Sequence, residues 1–113
     1  MVAKTVAPDR GDIVWISLNP QAGHEQAGRR PVLVVSPLAY NQRVGLALCC
    51  PITSQQKGYP FEVELPADAL VRGVILADQV KCLDWRARKA EVAGTVSSDV
   101  IAETLGKLAS LLQ

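Results

Sequence analysis

The architecture of this chain follows from Arg29-Arg30-Pro31-Val32-Leu33-Val34-Val35-Ser36-Pro37. Four consecutive branched apolar residues leave no polar face, so residues 31–36 read as a strand covered on both sides, in the middle of a sheet. Pro31 fixes φ at the strand entrance and biases Arg30 toward extended backbone. Immediately upstream, Gly23-His24-Glu25-Gln26-Ala27-Gly28 sets two glycines around a carboxylate and an amide, the composition of a loop. Two guanidinium groups therefore stand where a loop becomes a strand. A side chain at such an anchored end is held more firmly than one at a loop tip, which is how fixed charge is set beside a reacting group.

Outward from this strand the chain alternates strands and turns. Residues 1–10, polar with Pro8, are expected to form a loosely held arm. Residues 13–18 form a mostly buried strand that Asn19-Pro20 ends. After the central strand, Ser36-Pro37 has the form of an N-cap followed by proline at the first helical position, so residues 38–42 are expected to make one short helical turn. A strand over 44–53 leads to a polar loop at 54–58. Residues 59–65 read as a half-exposed strand, with Phe61, Val63 and Leu65 on one side and Glu62 and Glu64 on the other. Residues 66–72 read as a turn or short helical piece. Residues 73–83 return as a strand interrupted by Asp78-Gln79, polar groups that need partners or a ligand if buried. Basic residues 85–89 precede a last strand at 90–96. Ser97 or Ser98 then caps a helix whose apolar stripe, Ile101, Leu105, Leu108 and Leu112, packs on the sheet. The predicted fold is mainly β with a C-terminal helix, a small SH3-like barrel built as one domain over residues 1–113.

Composition narrows the function. The 113 residues carry a net charge of +1 and a pI near 7.7, short of the pI above about 9 that marks a general nucleic-acid binder. Any contact with nucleic acid must then be local. No apolar run reaches the roughly 18 residues of a membrane span, and residues 1–11 lack a signal-peptide core, so a cytoplasmic location is expected. Cys49, Cys50 and Cys82 match no zinc or redox spacing, and all three are expected to be small core residues, the first two on opposite faces of a strand.

The chain has one histidine, which excludes a histidine pair or a His-rich metal site. It has no glycine-rich phosphate loop, and Asp68 and Asp78 show no metal-ligand spacing. What remains is Glu25, Arg29, Arg30, Thr53, Gln79 and Lys81. Guanidinium binds phosphate oxygens in a fork and a hydroxyl can donate to the same group, so these residues suit metal-free work on a phosphodiester. RNA brings its own nucleophile, the 2′-OH, and needs only proton removal and charge stabilisation. Each residue also has a plainer role: solvated charge for Arg29 and Arg30, a strand end for Thr53, a turn cap for Glu25, a cross-sheet polar link for Asp78-Gln79. The residues alone stop at a small β-rich domain.

Six segments in order go further: Arg10-Gly11-Asp12-Ile13-Val14-Trp15, Glu25-Gln26-Ala27-Gly28-Arg29-Arg30-Pro31, Ser36-Pro37, Pro51-Ile52-Thr53-Ser54-Gln55, Lys57-Gly58-Tyr59-Pro60-Phe61-Glu62-Val63, and Leu76-Ala77-Asp78-Gln79-Val80-Lys81. With them the chain resembles the MazF/PemK family of toxin–antitoxin ribonucleases over nearly its whole length. The resemblance implies the SH3-like barrel of the MazF, PemK and CcdB toxins. It also implies a homodimer without metal or cofactor, which cuts single-stranded RNA at short sequences and is held inactive by a cognate MazE-like antitoxin. It makes Arg30 the main catalytic residue, Thr53 its partner and Glu25 the functional loop glutamate. Arg29, Tyr40, Asn41, Gln55, Lys57, Gln79 and Lys81 are candidate RNA contacts. An acidic, largely disordered antitoxin segment is expected in the same groove, competing with RNA through Arg29, Arg30 and Lys81. His24 stands where the family pattern suggests a small residue. Two other readings remain: a gyrase-poisoning toxin, although the terminal Trp-Gly-Ile of that class is replaced by Leu111-Leu112-Gln113, and a non-enzymatic SH3-like binding module with Trp15 and Tyr40 as a peptide shelf.

Overall fold

The apolar run after Pro31 forms the middle of the sheet. In the computed structural model, which describes residues 6–17 and 28–113, strand β2 (Arg29–Val34) lies between β1 (Asp12–Ser17) and β3 (Ala47–Thr53). Adding β4 (Glu62–Glu64), β5 (Val74–Leu76), β6 (Lys81–Leu83) and β7 (Glu91–Thr95), the path runs β4-β5-β3-β2-β1-β7, with β6 also paired to β3. Every pair is antiparallel. Because successive side chains alternate across a strand, the sheet carries two cores. Ile13, Leu33, Cys50, Ile52, Val63 and Ile75 pack under the C-terminal helix α2 (Ser98–Ser110), which adds Val100. Val14, Ile16, Val32, Val34, Cys49, Leu83 and Trp85 pack on the other face.

The interruption at Asp78-Gln79 is a 3-10 turn, Ala77–Gln79, which splits the expected strand 73–83 into β5 and β6. One strand thereby pairs with β3 twice, at Ile52 and Thr53 and again from Ala47 to Cys49. The Ser97 hydroxyl caps α2 by accepting the Val100 amide, as expected. Of its expected stripe, Leu105 and Leu108 pack half-buried against the core and Ile101 is half-buried, with Val100 and Thr104 the fully buried positions; only Leu112 departs, lying beyond the helix and exposed. Thr104 tolerates burial because its hydroxyl donates to the Val100 carbonyl at 2.8 Å.

Other expectations need correction. Helix α1 (Leu38–Val44) takes Val44 from the expected third strand and closes on Gly45 in the left-handed region, φ 83°. Pro37, not Ser36, holds the N-cap position; the Ser36 hydroxyl turns inward, donating to Asn41 Oδ1 and accepting the Leu48 amide. Residues 8–10 are no loose arm, since Pro8 is buried, Asp9 accepts the Leu38 amide and Arg10 donates to the Val35 carbonyl. Residues 1–5 lie outside the described residues. Residues 66–72 take the turn, the first of their two expected forms. Cys49 and Cys50 are buried, but Cys82 is exposed on β6, outside both cores. Among the described residues no helix is long and apolar enough to cross a membrane.

Candidate active site

The β2–β3 ladder pairs Val34 with Cys49, Leu33 with Cys50 and Val32 with Pro51, and stops there. Pro31 and Pro51, which have no amide proton, stand at its end. Carrying that register two residues further sets Arg30 level with Thr53. Beyond the last pair lies a cleft of about 460 Å³ whose walls include Trp15, Arg30, Pro31, Thr53, Gln55 and Arg72. The Arg30 side chain is exposed, with no hydrogen-bond partner among the described residues. Thr53 is half-buried, and its Oγ1 accepts the Gln55 amide at 3.1 Å. The hydroxyl proton has no acceptor among the described residues and is available to a ligand in the cleft.

Gly73 fixes where Thr53 lies. Its φ is 120°, and a Cβ there would sit 2.0 Å from the Thr53 carbonyl oxygen, so only glycine lets this segment lie against the Thr53 backbone.

A second cavity of about 270 Å³ shares Thr53 and Gln55 with the first and adds Lys57, Tyr59, Glu62 and Gln79. Glu62 is buried rather than half-exposed as its strand pattern suggests, because its carboxylate accepts the amides of Lys57 at 2.9 Å and Gly58 at 3.0 Å. Those bonds replace lost hydration and hold the loop that bears Gln55 and Lys57. From α2, Lys107 Nζ donates to the carbonyls of Pro60 at 2.8 Å and Glu62 at 3.0 Å, tying the same segment to the helix. The Tyr59 hydroxyl donates to Asp78, and this bond to a carboxylate holds the Tyr59 hydroxyl above the usual tyrosine range. The other Asp78 oxygen, Oδ1, is buried without a partner among the described residues.

The structure thus gathers Arg30, Thr53, Gln55, Lys57 and Gln79 around two joined cavities. It treats the remaining candidates differently. Arg29 reaches the cleft wall, but its guanidinium donates to the Trp15 carbonyl at 2.9 Å, the Lys89 carbonyl, the Glu91 carboxylate at 3.3 Å and Ser17 Oγ at 3.4 Å. Its donors are largely committed to the fold. Asn41 is not a surface RNA contact. It is fully buried, and its amide donates to the carbonyls of Pro8 at 2.8 Å and Ser36 at 2.9 Å. Tyr40 is exposed on α1 beside a shallow depression with Ala39, Gln42 and Arg43, and the exposed Lys81 faces Cys49 from β6; neither lines the two cavities. Glu25 and His24 lie outside the described residues. Among the described residues no cluster of His, Cys, Asp or Glu could hold a metal ion.

The sequence profile of the PemK-like, MazF-like toxins of type II toxin–antitoxin systems matches residues 9–112. This chain belongs to that family. It is 47% identical over 112 residues to the endoribonuclease toxin MazF of Escherichia coli strain K12, covering 99% of each chain. It is 37% identical to the endoribonuclease PemK of Escherichia coli, covering 92% of this chain and 81% of PemK. The crystal structure of MazE-MazF (Form-III) from Deinococcus radiodurans superimposes with a TM-score of 0.87 at 56% identity, covering 94% of this chain and 96% of that one.

For this MazF homologue the two rival readings lose support. Trp15 and Tyr40 line different cavities and make no common peptide shelf. The sequence gives Tyr59, Glu62, Arg72 and Gly73 no place at these cavities, and Trp15 only one on a peptide shelf. Trp15 signals itself as a large apolar residue left 36% exposed in an otherwise buried strand, but only coordinates reveal that exposure. Arg72, Gly73, Tyr59 and Glu62 become visible only once β4, β5 and the 54–58 loop are folded against Thr53.

Proposed function

We propose that this MazF-like toxin is a sequence-specific, metal-independent endoribonuclease that cuts single-stranded messenger RNA to a 2′,3′-cyclic phosphate and a 5′-hydroxyl. The observation that carries the proposal is the common cleft of Arg30 and Thr53 beyond the last β2–β3 pair. Arg30 binds the scissile phosphate and stabilises the charge that grows on it in the transition state, and Thr53 donates to a non-bridging oxygen. Glu25 accepts the 2′-OH proton as the 2′-oxygen attacks phosphorus; the bond to the 5′-oxygen breaks, and that oxygen takes a proton from solvent. The Arg30 guanidinium works through its charge and its fork of donors rather than by proton transfer.

The adjoining cavity with Gln55, Lys57 and Gln79 takes a splayed base and reads its edge by hydrogen bonds. The protein works in the cytoplasm as a homodimer. A cognate MazE-like antitoxin inhibits it by laying an acidic segment along the Arg30 cleft, with Lys81 alongside; the MazE-MazF crystals from Deinococcus radiodurans support a partner of this class.

The test is an RNA oligonucleotide with one 2′-deoxy nucleotide on the 5′ side of the cut, incubated with enzyme in EDTA. The all-ribose control is expected to be cut with cyclic-phosphate ends and the 2′-deoxy oligonucleotide to stay intact. Cleavage of the latter would refute the mechanism.

A further inference from the structure

Resting on the reading of Arg30 as the catalytic cation, we infer that Arg88 is a positioning residue for cleavage. It pins the end of the β1–β2 ladder from which Arg30 projects.

The ladder ends at the pair Ser17 and Arg29, with Ile16 opposite Arg30 one step inside. Ends of ladders fray. A catalytic cation must nevertheless be held to within about 0.5 Å. The turn after Trp85 supplies the constraint. Asp84 Oδ1 accepts the amides of Arg86 at 3.1 Å and Ala87 at 2.8 Å, and Lys89 adopts a left-handed backbone at φ 56°. This shape brings Arg88 to Ser17 at two points: its carbonyl accepts the Ser17 amide at 3.2 Å, and Nη1 donates to the Ser17 carbonyl at 2.8 Å. Arg29 closes the clasp from the other strand by donating to the Lys89 carbonyl. Both strands of the ladder that carries Arg30 are thus tied to one turn, and the half-buried Arg88 gives its Nη1 to main chain.

The test is single-turnover cleavage of a short RNA by Arg88→Met, Arg30→Ala and the double variant, with kcat, KM and the salt dependence of KM recorded. Arg86→Met is the control of equal charge; its guanidinium stacks on the Trp85 ring at 5.0 Å and does not reach Ser17. The expectation is a fall in kcat of about tenfold or more for Arg88→Met, with KM within twofold and an unchanged salt slope, since no phosphate contact is lost. Arg86→Met should keep its kcat. In the Arg30→Ala background the Arg88 substitution should add no further loss, because a residue acting through Arg30 has nothing left to position. Should Arg88→Met melt below the assay temperature, Arg88→Lys, which keeps one donor toward Ser17, should hold kcat within threefold.

A loss confined to KM, or the same fold-loss in both backgrounds, would overturn this inference while leaving the catalytic role of Arg30 intact. Full activity of Arg30→Ala would instead overturn the catalytic assignment together with the inference built on it.

Discussion

Thr53 and Arg30 line one cleft beyond the end of the β2–β3 ladder, and the Thr53 hydroxyl oxygen is already bonded to the Gln55 amide, its proton without an acceptor among the described residues. A cation and an oriented donor therefore share a cleft without competing for each other. Arg30→Ala is expected to lower kcat 10²- to 10³-fold, about 2.7 to 4 kcal/mol in the barrier, as for loss of a preorganised oxyanion donor. Thr53→Val keeps the shape and removes one hydrogen bond to a charged group, about 1.5–3 kcal/mol or roughly 10- to 150-fold. Single-turnover rates measure both, and circular dichroism should show both variants folded.

Gly73→Ala tests how the Thr53 backbone is placed. The added Cβ meets the Thr53 carbonyl in a left-handed segment, so stability should fall by at least about 1–3 kcal/mol in urea denaturation. The kcat should fall with it, because Thr53 is the group displaced. Gly45→Ala is the comparison: nothing lies within 4 Å, so only the backbone penalty of roughly 1–2 kcal/mol applies, and kcat should hold.

Asn41→Ala separates structure from recognition. The substitution leaves the Pro8 and Ser36 carbonyls in the interior without their donors, for a loss of about 2–6 kcal/mol at about 1–3 per orphaned group. Denaturant midpoints read this loss. The preferred cleavage sites, mapped on a transcript library below the melting temperature, should not change.

The buried thiols predict an alkaline limit to stability. Burial pushes Cys49 up from the ordinary value of 9.0 to about 12, and burial followed by the nearby Asp78 charge pushes Cys50 to about 11. The folded chain keeps these thiols neutral where the unfolded chain ionises them. Their contribution is full below pH 9 and is lost as pH rises through 11 and 12. Urea midpoints should therefore drop above pH 9, and Cys49→Ala should flatten that drop. At pH 8 a thiol reagent should modify the exposed Cys82 well before Cys49 and Cys50, which should react only on unfolding.

The central place of the Val32-Leu33-Val34-Val35 strand, the interruption at Asp78-Gln79 and the Ser97 cap are legible in the residues, because hydrophobic period, proline and capping chemistry act over a few neighbours. So is the choice of Arg30 and Thr53 as candidates, once the resemblance to MazF and PemK is seen. What folding alone settles is how side chains with the same local signature divide their work. Arg29 and Arg30 are adjacent and chemically identical, yet β1, Lys89 and Glu91 take the first as a strut and the second is left facing the cleft. Asn41 and Glu62 read as surface polar groups but are buried because distant donors and acceptors, Pro8 for one and the loop amides for the other, close around them. Such partners lie up to 33 residues away, and the sign of a polar residue's burial energy depends on whether they arrive, which no local pattern encodes.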